Sequence, residues 1–230
     1  MQIEKRDLDQ ANELLLKEHK RRFGFLSETL PDAEQVITKL MDFQVAIPSW
    51  ALGSGGTRFG RFGGSGEPGS IEEKIEDVGL LHALNQSSGA ISLHIPWDIP
   101  ENAASIKSFA AQLGIRFDAV NSNTFQDQPE QVLSYKFGSM QHVDKNVRQQ
   151  AIDHNIEVIR HGVELGSQSL TVWLSDGSCF PGQLNFKRAF QNTLESLQAV
   201  YQELPDNWKM FVEYKAYEPN FYSTTVGDWG

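Results

Sequence analysis

Cysteine is almost absent from this 230-residue chain: Cys179 stands alone. One thiol makes no internal disulfide and no cysteine metal cage, and points to a reducing cytoplasm. No apolar run approaches the ~20 residues that span a bilayer, which argues against a membrane partner. The first residues, Met1-Gln2-Ile3-Glu4-Lys5-Arg6, lead into a polar helix and lack the apolar stretch of a secretory signal. Positive charge is also short. The 20 Lys and Arg against 30 Asp and Glu leave a net charge of −10, which argues against nucleic acid and fits a neutral or cationic ligand. What is present, 40% apolar and 22% charged residues, suits a soluble globular protein with a sizeable core.

The chain opens with two helical patterns. Leu8, Ala11, Leu14 and Leu15 form one stripe, and after Pro31 the residues Ala33, Val36, Ile37, Leu40 and Met41 recur at intervals of three and four. Residues 1–43 are therefore expected to be an N-terminal helical region. From residue 44 the pattern changes. Short apolar strands are expected at Gln44–Pro48, Ala90–Ile95, Phe117–Asn121, Leu170–Leu174 and Lys209–Glu213, with helices between them. Ser70 and Glu73 form a capping-box pair opening one helix. Gly114 and Gly166 stand where helix C-terminal glycines belong, and Pro205 stops the stripe Phe186, Phe190, Leu194, Leu197, Tyr201. Strict alternation of strand and helix means a parallel sheet covered by helices. The strand spacing is that of a (β/α)8 barrel, so residues 44–230 are read as an incomplete barrel containing about five strands. The ending, Asp228-Trp229-Gly230, has neither terminal helix nor polar tail and is read as a cut after the fifth strand. A doubly wound five-strand sheet is the alternative, though no short glycine fingerprint of a nucleotide-binding fold supports it.

Residues 53–69 hold a glycine-rich loop. It is too long for a phosphate cradle, has no Gly-Lys-Ser/Thr, and precedes a helix that begins only after Ser70. A flexible linker is one reading. Arg58, Phe59, Arg61 and Phe62 fit better with an arm that closes over a site or reaches a partner subunit.

In a parallel α/β fold the chemistry gathers at strand C-terminal ends. Those ends carry Trp50, then His94 with Trp97 and Asp98, then Asn121–Phe125, then Trp173 with Asp176, then Glu213 and Lys215. Glu213 and Lys215 are two apart, so in a strand they share a face. A carboxylate there suits a hard divalent ion and an ammonium suits a substrate oxygen; a surface ion pair explains the two residues alone equally well. Any single tryptophan or histidine in this set reads as core. Together, aromatic faces with a few polar tips are how proteins hold sugars.

Glu213-x-Lys215-x-x-Glu218-Pro219, His94 and the aromatic lining resemble the xylose-isomerase-like barrel superfamily. Val45–Trp50, Gly55–Phe59, Ser92–Asp98, Asn121–Phe125, Thr171–Trp173, Asp176–Ser178 and Tyr217–Trp229 are similar, within it, to the broad-specificity L-rhamnose isomerases. The resemblance implies a metal-dependent aldose–ketose isomerase acting on L-rhamnose and related sugars by hydride shift between C1 and C2. It implies divalent ions, manganese foremost and magnesium or cobalt as alternatives, with most ligands beyond Gly230, and a homo-oligomer, a tetramer in the family. Glu213 corresponds to a metal ligand, and Lys215 and His94 to catalytic positions, at the reacting carbon and at the far end of the sugar. Trp50, Phe125 and Trp173 correspond to substrate-lining positions, and Phe59 to the arm residue that shields a neighbouring subunit's site. Two alternatives accompany this expectation: a ketose 3-epimerase on the same fold, and a non-catalytic half-barrel.

Overall fold

The computed structural model describes residues 4–52, 66–174, 177–178, 184–214, 217–218 and 222–224. By internal contacts these residues group into two units: residues up to 91 with 105–116, and residues 92–104 with those from 117 onward. This is a different division from the helical region and barrel expected at 43/44, because it follows packing rather than element type.

The first unit holds helix α1 (Lys5–Thr29), helix α2 (Ala33–Met41), strand β1 (Ala46–Pro48), a single 3-10 turn (Ser49–Ala51), helix α3 (Ile71–Asn85), the larger parts of strand β2 (Ala90–Ser92) and helix α4 (Ala103–Gln112), and the first residue of strand β4 (Arg116–Phe117). The strands lie in the order β1-β2-β4. Ser70 caps α3 by accepting the N–H of Glu73. The Glu73 carboxylate reaches back to the N–H of Gly69, one residue earlier than in a standard capping box. Ile75 and Val78 of α3, Ile91 of β2 and Ile106 and Ala110 of α4 are buried. The first two helices behave differently. Leu14, Leu15, Val36, Leu40 and Met41 are all exposed, so much of the apolar stripe that identifies α1 and α2 is uncovered.

The second unit contains strands β3 (His94–Ile95), β5 (Val120–Ser122), β6 (Ser169–Leu174) and β8 (Lys209–Tyr214), with helices α5 (Lys145–Leu165) and α6 (Phe186–Gln202). These four strands form one sheet in sequential order, and every neighbouring pair is parallel. All five expected strands are therefore present, two of them in pieces: Leu93 separates β2 from β3, and Asp118-Ala119 separates β4 from β5. One further sheet has no counterpart in the sequence reading. Strands β7 (Gly177–Ser178), β9 (Tyr217–Glu218) and β10 (Tyr222–Thr224) pair antiparallel in the order β7-β10-β9.

The register explains which face of the four-strand sheet is core. Side chains at paired positions of a sheet share a face and alternate along each strand. Ile95, Val120, Leu170, Val172 and Leu174 lie on one face and are buried against Val147, Ala151, Val158 and Ile159 of α5 and Val200 of α6. The other face carries His94, Asn121, Thr171 and Phe211 in one cross-strand row, with Trp173 and Glu213 paired in the next. Gly166 closes α5 in the left-handed region, as expected.

Helix α6 corrects a simple reading of its stripe. Phe186, Phe190, Leu194 and Tyr201 are 46–61% exposed, while Ala189, Asn192, Thr193, Ser196 and Val200 face inward. The inward polar groups have partners. Asn192 Nδ2 donates to the Gln141 carbonyl at 3.0 Å, and Ser196 Oγ to the Met140 carbonyl at 2.8 Å. The helix thus anchors the long connection ahead of α5, whose Met140 and Tyr135 enter the core.

Candidate functional site

The site is built on the polar and aromatic face of the second unit, at the C-terminal ends of its strands. After β3 the chain turns back on itself. The Asp98 carboxyl accepts the His94 N–H at 2.9 Å, and the Asp98 N–H donates to the His94 carbonyl at 2.9 Å. This closed turn, with Asp98 buried, swings Trp97 over the His94 ring. The two rings stack at 4.1 Å with an interplanar angle of 25°. Phe125, just beyond β5, meets His94 edge-on at 5.6 Å and 89°, and Trp97 at 6.2 Å and 80°. Trp173, near the end of β6, lies 4.3 Å from Phe125, tilted by 51°. Four rings from three successive strand ends therefore make one wall. Such pairs contribute about 0.5–1.5 kcal/mol each beyond their burial.

The wall brings together three sequence-predicted residues, His94, Phe125 and Trp173. It adds Trp97, which the sequence reading placed at the strand end without naming it as a site residue. Its signal was there: a tryptophan between Pro96 and Asp98, inside a turn. Trp50 lies in the first unit, half-buried in the 3-10 turn that follows β1. Glu213 pairs in register with Trp173 and is exposed. Lys215 and Phe59 lie outside the described residues.

Asn123, between β5 and Phe125, was also missed. It is 1% exposed, and neither atom of its side-chain amide has a hydrogen-bond partner among the described residues. A buried polar group left so costs about 1–3 kcal/mol, which a bound hydroxyl or an ordered water would offset. Its backbone N–H donates to His154 Nε2 of α5 at 3.1 Å. Burial lowers the pKa of His154 below its ordinary value and outweighs the opposing attraction of Glu157.

The donor set expected for a divalent ion is incomplete here. Among the described residues no three His, Cys, Asp or Glu side chains are placed to hold a metal ion. A hard cation takes about six oxygen-rich ligands, so Glu213 by itself does not fit the role. A cavity of about 320 Å³ in the first unit, lined by Gln44, His82, Gly89, Gly114, Ile115 and Arg116, opens at the N-terminal ends of its strands, the end where parallel folds do not build catalytic sites.

The chain is 52% identical over 199 residues to a protein of Rhizobium meliloti named "probable sugar isomerase", which covers 86% of this chain and 46% of that protein. The chain is a homologue of proteins named probable sugar isomerase. A second, from Mesorhizobium japonicum, is 53% identical over 197 residues, with the same coverages. The chain thus spans about half the length of the curated relatives it matches. No protein-family model matches it. Among solved structures, a D-allulose 3-epimerase from Methylomonas sp., determined with D-allulose, superposes with a TM-score of 0.54 at 13% identity, over 80% of this chain and 54% of that one. A likeness at that identity concerns the fold alone, which is that of a partial (β/α) barrel. No helix among the described residues is long and apolar enough to cross a membrane.

Proposed function

We propose that this chain forms the sugar-binding wall of a sugar isomerase, one that interconverts aldoses and ketoses of the L-rhamnose type. The observation that carries the reading is the four-ring wall of His94, Trp97, Phe125 and Trp173, set at strand C-terminal ends in a homologue of proteins named as sugar isomerases. A sugar presents an apolar C–H face and a rim of hydroxyls. Trp97, Phe125 and Trp173 would take the C–H face. The buried amide of Asn123, one donor group and one acceptor, would take a hydroxyl that is both. A wall of this kind also excludes water from an open-chain sugar, which protects it from side reactions.

Glu213 is proposed to contribute one carboxylate to a divalent-ion site, and Lys215 to contact an oxygen near the reacting carbon. A bound ion supplies polarisation of a carbonyl; the described residues make no such site alone, so no step is assigned to it. The ketose 3-epimerase reading rests on a shared fold and no feature of the wall favours it.

The reading is tested by calorimetric titration of the chain with L-rhamnose. Removing Phe125, which meets each of the other three rings, should weaken binding by about 1–2 kcal/mol, or roughly tenfold. Equal affinity of the wild-type chain and Phe125→Ala would remove the wall from sugar recognition.

A further inference from the structure

The end of the β3–β5 ladder is interrupted by a side chain. Asn121 N–H donates to the Leu93 carbonyl at 2.9 Å, and the register pairs His94 with Asn121 and Ile95 with Ser122. In a parallel ladder the next rung joins residues two further on, the Ile95 carbonyl and the Asn123 N–H. That rung is replaced. Asn123 N–H donates to His154 Nε2 at 3.1 Å, and the Ile95 carbonyl faces the same imidazole. His154 reaches this point from the middle of α5.

We propose that His154 is a positioning residue for the site: its imidazole, inserted between the ends of β3 and β5, sets the spacing of the two segments that carry Trp97 and Phe125 and changes partner when it is protonated. Trp97 lies two residues after Ile95 and Phe125 two residues after Asn123, so the imidazole sits at the root of both arms of the wall. A ring nitrogen that accepts an N–H carries no hydrogen, so His154 is neutral with its proton on Nδ1, which lies 3.7 Å from Glu157 Oε2. Protonating Nε2 turns an acceptor into a donor. The Asn123 N–H then loses its partner and the Ile95 carbonyl gains one. The same atom thus has two arrangements, one holding β5 and one holding β3.

The charged and titratable groups facing His154 are Glu157, which favours its cation, and His161, which disfavours it; both are on α5. From β3 and β5 it meets backbone groups, since His94 lies on the opposite face of the sheet from Ile95. Burial is the largest influence on the ring and lowers its pKa from the ordinary value, ahead of the opposing pull of Glu157. The inference goes beyond the sugar reading and holds whatever ligand the wall takes.

The test is a pH titration of the isotopically labelled 230-residue chain by amide NMR. The Asn123 amide should shift with the same midpoint as the His154 ring, below the ordinary value of about 6.5, and the Trp97 amide should follow it. In the protonated state Asn123 should exchange its amide hydrogen about tenfold faster. Glutamine supplies a side-chain acceptor that does not titrate, so His154→Gln should keep Asn123 protected and flatten its pH response. His154→Leu should leave it unprotected at every pH; should that variant fail to fold, the flat profile of His154→Gln decides. An Asn123 amide that ignores the His154 titration, or that keeps its pH response in His154→Gln, overturns the proposal. A purely structural histidine would lower stability on replacement without linking that amide to its titration.

Discussion

Gly162 of α5 shows how tightly the helix holds the strand that delivers the site. A Cβ added there would lie 2.7 Å from Trp208 Cη2, 2.8 Å from Val120 Cγ2 and 3.3 Å from Val120 Cγ1. Two effects compete in Gly162→Ala. Alanine favours the helix by about 0.8–1.0 kcal/mol over glycine. Overpacking a close-packed core costs about 1–3 kcal/mol. Trp208 is only partly buried and its ring end can give way. Val120 cannot: it is fully buried and sits in the sheet beside Leu170 of β6. Strain therefore wins, with a net loss of up to about 2 kcal/mol. In a chain of this size each kcal/mol lowers the melting temperature by about 2–4 °C. Val120 lies five residues before Phe125 on the same segment, so the Phe125 and Trp173 signals should also move. The assay is denaturant unfolding followed by circular dichroism, on wild type and Gly162→Ala. A variant as stable as wild type, or more so, would mean that α5 and β5 separate at little cost, and the reasoning about how α5 fixes the strand end would fail.

Asp98→Ala should destabilise the chain by about 1.5–3 kcal/mol, because it leaves the buried His94 N–H without its acceptor; near-ultraviolet dichroism from the Trp97 stack should fall with it, and an unchanged spectrum would contradict the closed turn. Stability should also depend on pH through His154. Its pKa is lower in the folded state than in the unfolded chain, so the unfolded state binds more protons in between. The contribution is fully present above the unfolded pKa of about 6.5 and is lost as pH falls from there through the folded pKa; His154→Gln should reduce that slope, and an identical slope would place its origin elsewhere. Glu213→Gln should leave stability within about 0.5 kcal/mol, since the residue is exposed. It should weaken any manganese binding seen by calorimetry, and unchanged ion affinity would remove Glu213 from the proposed ligand set.

Much of the fold was legible because apolar, β-branched runs such as Leu170–Leu174 mark strands, and because Ser70, Gly114, Gly166 and Pro205 mark helix ends. The antiparallel strands β7, β9 and β10 were not legible: two or three residues carry no periodicity. The exposure of the α6 stripe was hidden for a different reason. Its spacing identifies a helix, but only the partners of Asn192 and Ser196 show that the polar side faces in. In the site, His94, Phe125 and Trp173 could be read because strand ends are where a parallel fold places chemistry. Trp97 needed the Asp98 turn to bring its ring over His94. Asn123 and His154 are 31 residues apart, on a strand end and a helix, and no local pattern joins them.

The most direct measurement of the central claim is the response of the indole N–H resonances to L-rhamnose. Trp97 and Trp173 belong to the ring wall, whereas Trp208 packs at Gly162 and against the core of the second unit. The account predicts that Trp97 and Trp173 shift together along one saturation curve while Trp208 stays still. Shifts confined to Trp208, or no shift of Trp97 and Trp173 while the sugar demonstrably binds, would contradict it.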